Sequence, residues 1–144
     1  MTFLPKTEHP LLIRTDFENQ KAWEAICEAV RAPVRDGADA FYANLDFLEQ
    51  PVLRNAGKED LMARVPEGYP HSFLLVADRF ATEQSEFPIL VIDLHHDPGR
   101  TFRAIPSQIQ GIENNLSIAN MDFFEFADSV DPDGVFRGFS SGEK

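Results

Sequence analysis

The chain has 144 residues, a length that fits one domain. Its formal net charge is −11, from 13 basic and 24 acidic side chains, yet 43% of its residues are hydrophobic and 13 are Phe. Such aromatic content excludes an acidic disordered tail. The shortage of Lys and Arg excludes a nucleic-acid binder, whose phosphate contacts need clustered cations.

Residues 1–10 read as a loose arm with two prolines. Leu11-Leu12-Ile13 is a short apolar run of buried-strand type, followed by Thr15-Asp16. Phe17 to Arg31 is the clearest helix: Trp23, Ile26, Cys27 and Val30 fall on one stripe, and Asp16 or Asn19 can cap it. Pro33 and Gly37 end it. Ala40 to Phe47 shows partial aromatic-polar alternation and is expected to be a strand. Lys58 to Val65 is a short helix, halted before Pro66. Ser72 to Ala77 and Ile89 to Leu94 are buried strands, with the polar stretch Thr82–Phe87 between them expected to be a loop.

His96-Asp97-Pro98-Gly99 is a turn, after which Arg100 to Ile105 returns as a hairpin partner. Pro106 and Ser107 open a helical segment, with Gln110 at capping-box spacing from Ser107 and Ile109, Ile112 and Leu116 as its apolar face. A second helix is expected over Asn120–Val130, ended by Asp131-Pro132-Asp133-Gly134. The aromatic tail Val135–Phe139 docks back, and residues 140–144 form a second loose arm. The sum is one α/β (α+β) domain: a mixed sheet of about five strands, helices packed on it, and a helical C-terminal segment.

Chemistry-bearing positions are few, and each has a plain structural reading beside it. Asp16 and Asp78 both follow buried strands. If those strands are parallel neighbours, both carboxylates reach the C-terminal edge of the sheet, where open α/β sheets place ligands. They would there hold a divalent cation or divide acid and base roles, with Arg100, Asn114 and Asn120 orienting a substrate. The plain reading, which we favour, is that each aspartate caps a helix or turn. Asp93 lies in an apolar run and needs a partner, for which Arg103 across the hairpin is the expected choice. Asp93 and His95 share one strand face and form at most a two-ligand seed, while His95 and His96 point apart. His9 and His71 each flank a proline in a loop and carry no signal of their own.

Asn114, Asn115 and Asn120 lie in an Asn-rich stretch, Glu113–Phe123, that suits helix caps better than ligand orientation. Asp131–Gly134 lacks the downstream ligands of a calcium loop. No Gly-rich phosphate loop, G-x-S-x-G, G-x-G-x-x-G or H-E-x-x-H occurs, so no cofactor, metal or catalytic residue is assigned. The single cysteine, Cys27, rules out an intramolecular disulfide, fits a reducing cytoplasm and sits on an apolar helix face. No apolar run approaches the ~18 residues of a membrane span, and residues 1–14 hold no signal-peptide core.

Charge is uneven. Residues 1–80 hold 9 basic and 13 acidic side chains; residues 81–144 hold 4 and 11. From Ala104 to Phe136 there is no Lys or Arg. Within that run Asp122, Glu125 and Asp128 fall on the helix face opposite Phe123 and Ala127. This acidic face fits encounter with a basic protein partner and a non-enzymatic binding or regulatory role, of which an immunity- or inhibitor-type protein is one form. A small hydrolase or metal-dependent enzyme with a carboxylate/Asn site at the sheet edge is the alternative. The Phe-rich C-terminus exceeds one helix face, and Phe124 points away from the Phe123–Ala127 stripe, which is consistent with a homodimer patch.

Three segments read together carry a resemblance: Ile13-Arg14-Thr15-Asp16-Phe17 followed by Ala22-Trp23, then Gly99–Pro106 with the Asn-rich stretch, then Asp133-Gly134-Val135-Phe136-Arg137-Gly138-Phe139. Over about Leu11–Phe139 they resemble a family of small bacterial single-domain proteins defined as a conserved domain of unknown function. The resemblance implies a stand-alone bacterial protein and supplies no activity, cofactor or catalytic residue.

Overall fold

The computed structural model describes residues 1–139; the expected second arm, 140–144, lies outside them. Eight strands form: β1 (Leu11–Arg14), β2 (Val34–Asp36), β3 (Asp39–Phe41), β4 (Asp46–Leu48), β5 (Phe73–Ala77), β6 (Ile89–Asp93), β7 (Thr101–Ala104) and β8 (Val135–Phe136). Five helices join them: α1 (Gln20–Arg31), α2 (Lys58–Ala63), α3 (Arg79–Glu83), α4 (Ile109–Ser117) and α5 (Phe123–Ala127). Six strands build one mixed sheet in the order β4-β1-β5-β6-β7-β8, and β2 and β3 form a separate hairpin.

Side-chain alternation along the central strands fills both faces. Leu12, Leu75, Val91 and Phe102 meet Trp23, Ile26 and Val30 of α1, Ile112 of α4 and Phe126 of α5 on one side. Leu11, Ile13, Leu74, Val76 and Ile92 meet Leu4, Leu53 and Leu61 on the other. Strands covered on both faces read as unbroken apolar runs, as LLI and FLLVA do. Each such side chain contributes about 1.5–3 kcal/mol on full burial. The C-terminal aromatics nest edge to face: Phe102 lies 5.0 Å from Phe123, and Phe126 lies 5.4 Å from Phe136. That packing docks the tail as β8, parallel to β7.

The α1 stripe is buried as its periodicity demands. Asn19 caps the helix by accepting from the Ala22 amide at 3.0 Å, so it starts at Gln20 rather than Phe17. Four other expectations need correction. Ala40–Phe47 is not one strand: the chain reverses at Gly37 (φ +63°), β3 ends at Phe41, and pairing resumes in another sheet at Asp46. Alternation cannot reveal that its two halves pair with different partners. Thr82–Phe87 is not all loop, because Asp78 caps α3 by accepting from the Ala81 amide. Ser107 makes no capping box; Pro106–Gln108 is a short 3-10 turn leading into α4. Residues 1–10 are no loose arm. Leu4 is buried, its amide donates to Arg64 O, and the His9 amide donates to Asp46 Oδ2.

Candidate functional site

Parallel pairing of β1 with β5 brings Asp16 and Asp78 to one sheet edge, as the strand signals anticipate. The chain leaves β1 toward β4 on one side and β5 toward β6 on the other. The edge between β1 and β5 is therefore a topological switch point, the usual ligand position in such sheets. A shallow crevice of about 310 Å³ opens there beside Thr15, Asn55, Asp78, Arg79 and Phe80.

The carboxylates at this edge are already engaged. Asp16 is 3% exposed; it accepts from the Thr82 hydroxyl and from the Glu18 amide. Asp78, besides capping α3, holds Arg103 in a bidentate pair at 2.9 and 2.7 Å. Arg14 is buried alongside. Its guanidinium donates to Asp16 O, Gln20 Oε1 and Glu49 Oε2, and it lies 4.6 Å from the Phe17 ring centre. A turn and a cap describe one contact of each aspartate; the Thr82 hydroxyl on Asp16 and the Arg103 guanidinium on Asp78 come in addition.

The expected Asp93–Arg103 pair does not form, since Arg103 reaches Asp78 instead. Asp93 spends its carboxylate on the turn that follows β6, accepting from the His95 and Asp97 amides at 2.9 and 3.0 Å. Strand geometry ends at Asp93, so His95 and His96 do not alternate; their rings meet edge to face 4.6 Å apart. Among the described residues no group of three or more His, Cys, Asp or Glu is placed to hold a metal ion. Cys27 is buried, and desolvation pushes its thiol up to about 11.

Arg100, Asn115 and Asn120 lie at the opposite end of the sheet from Asp16 and Asp78. Arg100 pairs with Asp128 at 2.5 Å. The Asn115 amide donates to Gly111 O, and its own oxygens accept from the Asn120 side chain and from the Asn120 and Met121 backbone amides. Asn114 contributes its carbonyl, which accepts from the Ile118 amide. These contacts are caps, and they hold the loop 118–122 in a shape that includes Ala119 at φ +56°.

That loop forms one wall of a cleft of about 370 Å³. The facing walls carry Tyr69 and His71 ahead of β5 and Asp93, His95 and His96 after β6. Burial pushes the Tyr69 hydroxyl pKa up, and its ring packs edge to face on His71 at 5.4 Å. His71 Nε2 donates to Thr7 O at 2.8 Å. His96 Nε2 lies 3.4 Å from Asp122 Oδ1. Sequence reasoning assigned the histidines no shared site. The signal is the β5–β6 pairing: Phe73 faces Asp93, so the segment that leads into β5 and the one that leaves β6 meet at the same end of the sheet.

The acidic C-terminal surface is also redrawn. Glu113 is buried, accepting from the Asn44 amide and the Ser117 hydroxyl, and so leaves the surface. Glu125 reaches back to the Asp122 amide at 2.9 Å as a cap. Asp122 and Asp128 stay more than half exposed, beside a Phe124 that is 50% exposed. Arg137 ties Glu86, Asp131 and Asp133 together, and its hydrogen bonds hold the Glu86 and Asp133 carboxyls below their usual range.

Fold and site together define a mixed α/β protein whose polar groups gather at the two ends of one sheet. The chain matches the family described as "Domain of unknown function (DUF6924)" over residues 9–139 and belongs to it. No curated protein matches the chain at a significant level. Among the described residues no helix is long and apolar enough to cross a membrane.

Proposed function

We propose that this chain is a non-enzymatic binding module of the cytoplasm that docks a basic protein partner on the outer face of α5. One observation carries the reading: Phe124 stands half exposed with Asp128 one helical turn away and Asp122 at the helix start, an apolar centre in an acidic rim. A net charge of −11 adds long-range steering toward a cationic surface. The test is binding of a purified basic partner, first recovered by crosslinking, to wild type, Asp122→Asn, Asp128→Asn and Phe124→Ala. Each α5 change weakens binding, and the two charge changes flatten its salt dependence, whereas Glu83→Gln on α3, at the opposite end of the sheet, has no effect. Equal affinity across all variants overturns the reading.

The switch-point crevice favours a second reading, a small hydrolase or metal-dependent enzyme acting beside Asp16 and Asp78. A thermal-shift screen with divalent cations and small metabolites tests it. A ligand at 100 times its dissociation constant stabilises the fold by ~2.7 kcal/mol. A shift that survives unchanged in Asp16→Ala and Asp78→Ala rejects the site.

A further inference from the structure

The cleft at the other end of the sheet has a chemical character that the docking reading leaves unused. Its floor and walls are apolar at Leu116, Ala119, Met121 and Phe123. The titratable groups that face it from every surrounding segment are Tyr69, His71, Asp93, His95, His96 and Asp122. Tyr69 is neutral, with burial pushing its pKa up. Apart from its histidines, the charged groups of the cleft are two carboxylates, inside a protein whose overall charge is −11. The Asp93 carboxylate is held by two backbone amides, whereas Asp122, which caps α5 on the Glu125 amide, stays half exposed with the His96 ring 3.4 Å away. This combination repels anions. It suits a cation carried on an apolar stem.

We propose that the cleft receives a basic side chain of the docked partner, its methylene stem against Leu116, Met121 and Phe123 and its charged head on Asp122. The proposal rests on the docking reading, since Asp122 is both the rim of the α5 face and the mouth of the cleft. It adds a contact that the face alone does not have, a side chain seated between the loop 118–122 and the segments that flank β5 and β6.

The Asn115 network belongs to the same device. It holds the Ala119 turn and thereby sets the separation between Met121 and the histidines.

The experiment is an amide-resolved NMR titration of the intact chain with acetyl-arginine methylamide, and with the citrulline analogue as its uncharged isostere. The arginine probe shifts signals of residues 69–72, 93–96 and 116–123. Its affinity falls at least tenfold in Asp122→Asn, a change that keeps a good helix-capping side chain. Shifts centred elsewhere, equal binding of the citrulline analogue, or an unchanged affinity in Asp122→Asn overturns the proposal. The two readings separate cleanly. Probe binding in the cleft with partner affinity unmoved by Asp128→Asn and Phe124→Ala sinks the α5 docking face alone. Partner binding that depends on those residues, with no probe in the cleft, sinks the cleft alone.

Discussion

The two ends of the central sheet use the same kinds of side chain in opposite ways. At the β1–β5 edge, Asp16, Asp78, Arg14 and Arg103 are buried or nearly so, and every carboxylate has partners from a neighbouring element. At the other end Asp93 is equally occupied, yet Asp122, His95 and His96 remain half exposed with loose contacts around an open cleft. An aspartate after a strand is thus spent on structure wherever a helix starts or an arginine crosses to it. Asp122 also caps a helix, yet it stays half exposed at the mouth of a cleft, where its carboxylate can meet a second group.

That contrast can be broken by substitution. The largest effect belongs to the closed end. Asp78→Ala removes the α3 cap and leaves the Arg103 guanidinium with only Pro88 O among its hydrogen-bond partners, at a cost of about 3 kcal/mol in urea unfolding. Asp93→Asn forfeits one of two charge-assisted turn bonds and costs about 2 kcal/mol by the same measurement. If it costs nothing, the turn does not depend on that carboxylate.

Smaller effects belong to the open end and the surface. Ala119→Gly relieves a left-handed residue and offsets the extra chain entropy of glycine, for a net gain of up to ~1 kcal/mol in thermal unfolding. Arg137→Gln acts through pH. Glu86 and Asp133 titrate below their ordinary range because Arg137 hydrogen-bonds their charged forms. A depressed carboxylate stabilises above its unfolded pKa and loses that contribution as pH falls through the folded value. The melting temperature of wild type therefore drops more steeply below about pH 4 than that of Arg137→Gln, and parallel curves would remove the clamp from the account. Smallest of all, Asp122→Asn leaves stability within ~0.5 kcal/mol, since it breaks no buried contact. A loss as large as that of Asp78→Ala would erase the distinction between the two ends.

Much of the fold was legible because local pattern and burial agreed. The LLI, FLLVA and ILVID runs are strands buried by helices on both faces, and the Trp23–Val30 stripe could face only the sheet. The Pro98-Gly99 turn and the docking tail followed from turn chemistry and a run of phenylalanines. The site was legible in part. Asp16 and Asp78 reach one edge as the strand order required, but the partners that occupy them, Thr82 on Asp16 and Arg103 on Asp78, lie far along the chain.

The sequence by itself therefore determined the class of fold, the membership of a family and the acidity of the C-terminal third, because composition and short-period patterning are local properties. Tertiary structure alone decided which carboxylates are free. It moved Arg103 from Asp93 to Asp78, buried Glu113 against Asn44, and gathered His71, His95 and His96 around one cleft at the end of β5 and β6. Each of these is a contact between segments remote in sequence, set by strand order and register, and neither is written in the spacing of residues along the chain.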